Sequence, residues 1–114
     1  IPSTPLSVKP MSTVPQQFVL EQNFPNPFNP TTTIRYRLPT SSKVKLTIYD
    51  IQGREIATLV NEEQSAGWKD VQWNTNDVSH QNAGGLASGV YFYRIDAVGN
   101  GKVFSEVKKL MVVK

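Results

Sequence analysis

The chain has 114 residues, 39% of them apolar and 18% charged, which is room for one domain with a single small core. Its net charge of +3 comes from 12 basic and 9 acidic residues with no Lys/Arg run longer than two, so the concentrated basic face of a nucleic-acid binder is not expected. Cysteine is absent, which excludes disulfides and thiolate metal sites. The longest apolar run near the C-terminus, Leu110–Val113, is far short of the ~20 residues a membrane helix needs.

Residues 1–17 carry four prolines, scattered Ser and Thr, and one charge at Lys9. Proline removes backbone donors and stiffens the chain into extended geometry, so a semi-rigid linker is expected; an irregular first strand is the competing reading. The chain starts Ile1-Pro2-Ser3, with no initiator Met and no signal peptide, as a C-terminal fragment of a longer protein would.

Phe18–Leu20 reads as a short first strand. A punctuation run follows, with Pro25, Pro27 and Pro30 among Asn23, Asn26 and Asn29. Each residue before a proline is pushed out of the α region, and Asn side chains bond nearby backbone, so this run reads as a strap and not as a helix or central strand. Phe24 and Phe28 are expected to anchor it to the core.

From Thr33 the period is two. Ile34, Tyr36 and Leu38 alternate with Arg35 and Arg37; Pro39-Thr40-Ser41-Ser42 turns the chain; Val44, Leu46 and Ile48 alternate with Lys43, Lys45 and Thr47. Asp50-Ile51-Gln52-Gly53 fits a type I turn. Arg54–Val60 returns as a strand, because β-branched Ile56, Thr58 and Val60 outweigh the helical preference of Ala, Leu and Glu.

Asn61–Gly67 reads as a polar loop, Trp68–Trp73 as a strand, and Asn74–Ser88 as the longest loop. Gly89–Ile95 is the strongest strand signal. Val98-Gly99-Asn100-Gly101 is a tight hairpin turn, since Gly and Asn tolerate positive φ. Lys102–Val113 is the final strand, and its broken alternation near Lys108-Lys109 predicts a bulge or a switch of sheet. About seven short antiparallel strands at turn spacings near 8–12 residues predict an all-β, immunoglobulin-like sandwich over 18–114.

Four ordered segments also carry a family resemblance. Leu20-Glu21-Gln22-Asn23-Phe24-Pro25-Asn26-Pro27-Phe28-Asn29-Pro30 precedes Thr33-Ile34-Arg35-Tyr36. Val44–Asp50 precedes Gly53-Arg54-Glu55 and Leu59-Val60. Ala66-Gly67-Trp68 leads to Val71-Gln72-Trp73. Leu86-Ala87-Ser88-Gly89-Val90-Tyr91-Phe92-Tyr93-Arg94 precedes the ending Lys108-Lys109-Leu110-Met111-Val112. Together, over residues 18–114, they resemble the type A C-terminal sorting domain of the type IX secretion system, related to the immunoglobulin-like domain of flagellar hook-capping proteins. The resemblance implies a non-catalytic signal at the end of a secreted cargo protein from a member of the Bacteroidetes or a neighbouring phylum. It implies passage through the periplasm and reading by the type IX translocon and a shuttle β-barrel. It further implies cleavage near the linker by a surface sortase, with the cargo released or held at the outer-membrane surface on anionic lipopolysaccharide.

Candidate site residues follow from both readings. Asn26, Pro27, Phe28 and Asn29 are recognition candidates through the resemblance, or a strap covering a sheet edge. Gly89 joins the recognition set, although its glycine also suits a backbone need at a turn. Lys108, Lys109 and Lys114 fall where the family's export information concentrates; solvated edge charge is the alternative. Arg35, Arg37, Lys43 and Lys45 lie on consecutive strands and make one basic patch if those strands pair; an ordinary polar face is the alternative.

Trp73, Tyr91 and Tyr93 are expected in the core, whereas Trp68, if exposed, offers a sugar-stacking platform. His80, the only histidine, neighbours Ser79 and Asp77, but adjacent residues do not converge as a nucleophile–base pair, so no catalytic residues are assigned. Asp50, Asn74, Asn76 and Asp77 offer oxygens to calcium, yet their spacing is not that of an EF-hand, and neither metal nor cofactor is assigned. A carbohydrate- or protein-binding module, or a structural domain with weak self-association through an open edge strand, is the alternative function.

Overall fold

The computed structural model describes residues 17–76 and 86–114. The expected linker, apart from Gln17, and Asp77, Ser79 and His80 lie outside them. Seven strands follow in order: β1 Val19–Leu20, β2 Thr31–Leu38, β3 Ser42–Tyr49, β4 Glu55–Gln64, β5 Gly67–Asn74, β6 Gly89–Gly99 and β7 Lys102–Val112. They form two antiparallel sheets, one ordered β1-β2-β5 and the other β4-β3-β6-β7. The described residues contain no helix.

The alternation read from the sequence builds the core. Ile34, Tyr36 and Leu38 of β2 face Val44, Leu46 and Ile48 of β3 and Tyr91, Tyr93, Ile95 and Ala97 of β6 across the sandwich, all buried. Trp73 and Phe28 close one end, with ring centroids 5.7 Å apart. Each fully buried aliphatic or aromatic side chain contributes about 1.5–3 kcal/mol against the entropy lost on folding.

The turns obey their residues. In the β3–β4 connection the Gly53 N–H donates to the Asp50 carbonyl at 3.0 Å, and the Asp50 carboxylate accepts the N–H groups of Gln52 and Arg54, each at 2.9 Å. The bond from the Arg54 backbone, more than any other cause, holds the Asp50 carboxyl below its usual range. Asn100 and Gly101 take φ of 53° and 75°, as a two-residue type I′ hairpin requires.

One condition set by the sequence fails, and two expectations are corrected. The Pro39–Ser42 turn carries the chain from one sheet to the other, so β2 and β3 do not pair. The predicted loop Asn61–Gly67 is mostly strand: β4 runs to Gln64, with Lys43, Val44 and Lys45 of β3 opposite Glu63, Glu62 and Asn61. Polar residues suit an edge strand, which keeps one flank in water. The predicted irregularity at Lys108-Lys109 is absent, since β7 pairs with β6 in one unbroken register. The register shifts lie instead between β3 and β4, at Leu46/Thr47 and Ile48/Tyr49. There β4 carries Ile56 and Leu59 as extra residues, which leaves Ala57 and Val60 as its buried positions.

Candidate functional site

The most elaborately bonded region is the end of the sandwich where the strap meets the last strand. The strap, residues 21–30, first extends β1 along β2. The Glu21 N–H donates to the Arg35 carbonyl at 2.9 Å, and Phe24 and Thr33 exchange backbone bonds of 3.0 and 2.9 Å. The strap then crosses to the other sheet. Phe28 forms a parallel bridge with Val112, its N–H donating to the Met111 carbonyl at 3.1 Å and its carbonyl accepting the Val113 N–H at 3.0 Å. One continuous segment thereby stitches the two sheets together, with cis peptide bonds before Pro25, Pro27 and Pro30.

Side chains complete the stitching. The Asn26 side-chain Oδ1 accepts the Met111 N–H at 2.9 Å, and the Gln22 side-chain amide donates to the Lys109 carbonyl at 2.7 Å. Asn23, 2% exposed, is bonded on every side. Its N–H donates to the Tyr93 hydroxyl, and its amide donates to the Pro25 carbonyl and the Thr32 hydroxyl. The Tyr93 hydroxyl in turn donates to the Glu21 carbonyl at 2.7 Å. Burial pushes the Tyr93 phenol up to about 12, against the lowering effect of its bond with Asn23. Tyr91 donates to the carbonyl of Ala87, four residues upstream, a bond that recurs in immunoglobulin-like sandwiches.

The recognition candidates therefore converge. Asn26, Pro27, Phe28 and Asn29 lie on the strap against Met111–Val113. Gly89 pairs with Val112, and the Lys114 N–H donates to Ser88 Oγ at 2.9 Å. Gly89 has φ of 149°, with nothing within 4 Å of where a Cβ would stand, so glycine is needed there for conformation and not for space. Lys108 and Lys109 share the region but point to opposite faces. Lys108 lies on the core side of β7, paired with Glu106 at 3.5 Å. Lys109 is exposed on the outer side.

Two expected features are not assembled. Phe28 is an anchor at 2% exposure, but Phe24 is 78% exposed; it binds through its backbone alone. Arg35 and Arg37 lie on the outer face of the three-stranded sheet, Lys43 and Lys45 on the outer face of the four-stranded one, so a single basic patch does not form. Trp68 is exposed as the sugar-platform reading required. Its ring, however, carries the guanidinium of Arg35 4.4 Å from its centroid and that of Arg37 at 5.7 Å, and Arg35 also pairs with Asp70 at 3.5 Å. Such stacking is worth about 0.5–1 kcal/mol at an exposed site, and it competes with a sugar for the ring of Trp68, which stays 44% exposed.

Sequence reasoning assigned no site role to Gln22, Asn23 or Ser88. The signal for Asn23 was its place among prolines, where an amide side chain is the nearest substitute for missing backbone donors. Of the calcium candidates within the described residues, Asp50, Asn74 and Asn76, the first two each spend a side-chain oxygen on their own turn; Asn74 accepts the Asn76 N–H at 2.8 Å. No cluster of metal-ligating groups occurs among the described residues.

Fold and site together define an immunoglobulin-like β-sandwich module whose most built feature is a strapped end. The comparisons are specific about the kind. The family described as the secretion system C-terminal sorting domain matches residues 22–113, and the chain belongs to that family, which marks cargo for type IX secretion. No curated protein matches the chain. Among solved structures it is similar to dimeric latent PorU from Porphyromonas gingivalis, at 24% identity and a TM-score of 0.61 over 84% of this chain and 9% of that one. It is also similar to FlgD from P. aeruginosa, at 24% identity and 0.54 over 71% and 61%, respectively. A third likeness is to PorZ of P. gingivalis, a surface component of its type IX system, at 20% identity and 0.50 over 82% and 11%. At these identities the structural likenesses establish the fold alone, and the chain spans about a tenth of PorU and of PorZ.

Proposed function

We propose that residues 18–114 act as a non-catalytic address on a secreted cargo protein, joined to it through the linker 1–17. The address is read by the type IX translocon and the shuttle β-barrel after passage through the periplasm. A surface sortase then cuts near the linker, leaving the cargo secreted or at the outer-membrane surface. What supports this reading is family membership over 22–113 combined with the strapped end, where Asn26, Phe28, Gly89 and the chain's last residues are held in one geometry. A recognition surface needs a fixed arrangement of groups more than it needs a cleft, and this end supplies one.

The test fuses residues 1–114 to the C-terminus of a fluorescent reporter bearing a periplasmic signal peptide. The reporter is expressed in a bacterium with a working type IX system and in a matched strain lacking the translocon. The expected result is reporter at the surface or in the medium of the competent strain alone, with the domain missing from the released product. An intact, folded fusion held in the periplasm of both strains would overturn the reading.

A further inference from the structure

β7 is an edge strand that is only partly covered. Met111 turns its N–H to Asn26 and its carbonyl to Phe28, both on the side away from β6. Because an antiparallel ladder alternates, Lys109, Val107, Ser105 and Val103 turn their backbone groups to that same outer side. Gln22 takes the Lys109 carbonyl. Among the described residues no strand pairs with Val103, Ser105 or Val107 there. The β4 edge of the same sheet is broken by two register shifts, whereas β7 is regular throughout. A regular edge with unpaired N–H and carbonyl groups is a template for another strand.

We propose that this edge pairs antiparallel with the same edge of a second copy of this chain, about a two-fold axis at Ser105. The two four-stranded sheets then join into one continuous sheet. Three observations select the partner and the register. The open stretch is bounded by the Asn100-Gly101 turn at one end and by Gln22 at the other, and Ser105 lies at its middle. Centring there gives Val103, Ser105 and Val107 of both copies backbone partners. It also sets Val103, 68% exposed, opposite Val107 of the second copy, with its counterpart 53% exposed, and beside Val98 at 47%. Exposed valines on the outer face are thereby gathered into one strip, the favourable cross-strand arrangement.

Neighbouring registers are worse. Centring on Glu106 sets Val103 opposite Lys109, whose carbonyl Gln22 already occupies, and Glu106 opposite its own copy; centring on Ser105 sets Lys102 opposite Lys108, whose charge Glu106 offsets at 3.5 Å. Centring on Val107 drives the second copy against the backbone that Gln22, Asn26 and Phe28 already occupy.

The full chain has no cysteine, so Ser105→Cys introduces a single thiol. Directly opposed residues of a hydrogen-bonded antiparallel pair have Cα atoms about 5.5 Å apart, within disulfide reach. Under mild oxidation S105C is expected to form a disulfide dimer at least about tenfold faster than Lys43→Cys, which lies on the outer face of the same sheet but away from the edge. Sedimentation of the unmodified chain is expected to show a dimer fraction rising with concentration. The double variant Val103→Lys with Val107→Lys sets like charges opposite each other and is expected to be monomeric. Val103→Lys with Val107→Glu sets opposite charges there and is expected to recover the dimer. All these side-chain changes lie at exposed positions, and a urea midpoint checks that each variant is folded. Cross-linking no faster at 105 than at 43, a monomer at every concentration, or no recovery in the Lys/Glu variant would each overturn the proposal.

Discussion

Truncating Phe28 to alanine separates an anchor from a mere strap residue. Phe28 is 2% exposed, packs on Trp73 with ring centroids 5.7 Å apart, and holds the strap's bridge to Val112. Removing a buried phenyl ring forfeits its transfer free energy and leaves a cavity, together about 3–5 kcal/mol. The total stability of a domain this size is about 5–15 kcal/mol, so Phe28→Ala is expected to remove a large part of it. Phe24→Ala, at a side chain 78% exposed, is expected to change stability by no more than about 0.5 kcal/mol. Urea denaturation followed by Trp fluorescence reads both. The midpoint of Phe28→Ala should fall steeply while the slope stays unchanged, which marks a loss of stability and not a change in the unfolded state. A loss below about 1 kcal/mol for Phe28→Ala, or equal losses for the two variants, would refute the assignment of Phe28 as the strap's anchor.

Gly99→Ala drives a Cβ into the Ser41 carbonyl oxygen and to 2.6 Å from Ser42 Oγ, so the chain must shift at the β6–β7 hairpin. A cost of about 1–3 kcal/mol is expected from thermal unfolding, and a neutral result would mean the close approach is not maintained in solution. Tyr93→Phe leaves the buried Asn23 N–H without its acceptor and should cost about 1–3 kcal/mol, read as a lowered urea midpoint; an unchanged midpoint would mean the Asn23 N–H finds another acceptor. Burial holds Tyr36 and Tyr93 up to about 12 from an ordinary 10.0, so the unfolded chain loses these protons first as pH rises. Stability from this source is full below pH 10 and is lost between 10 and 12; urea midpoints that stay level across that window would contradict it, and Tyr93→Phe should make the fall shallower.

The corrections share a cause. Arg35, Arg37, Lys43 and Lys45 were each rightly read as facing away from a core, because side-chain direction follows from alternation within a strand. Whether the two strands are neighbours is a different matter. The short Pro39–Ser42 turn serves equally well to close a hairpin or to cross between sheets, and only the whole packing chooses. The same holds for the strap. Its prolines and asparagines announce that it is neither helix nor central strand, but not which phenylalanine turns inward. That depends on the space beside Trp73, which belongs to β5, 45 residues further along the chain from Phe28.

Local chemistry alone thus determined the succession of strands along the chain, the turns at Asp50–Gly53 and Asn100-Gly101, the buried faces of β2, β3 and β6, and the residues that carry the family resemblance. These depend on neighbours one to four residues apart, and backbone sterics and period-two burial act at that range. The tertiary structure alone decided which sheet each strand joins, that Asn26 bonds Met111 across 85 residues of chain, that Phe28 is the anchor, and that no strand among the described residues pairs with the outer side of β7 at Val103–Val107. Those outcomes are pairings between distant segments. Each is selected by the packing of the whole sandwich, since a carbonyl or a phenyl ring is satisfied by whichever partner the completed core brings within reach.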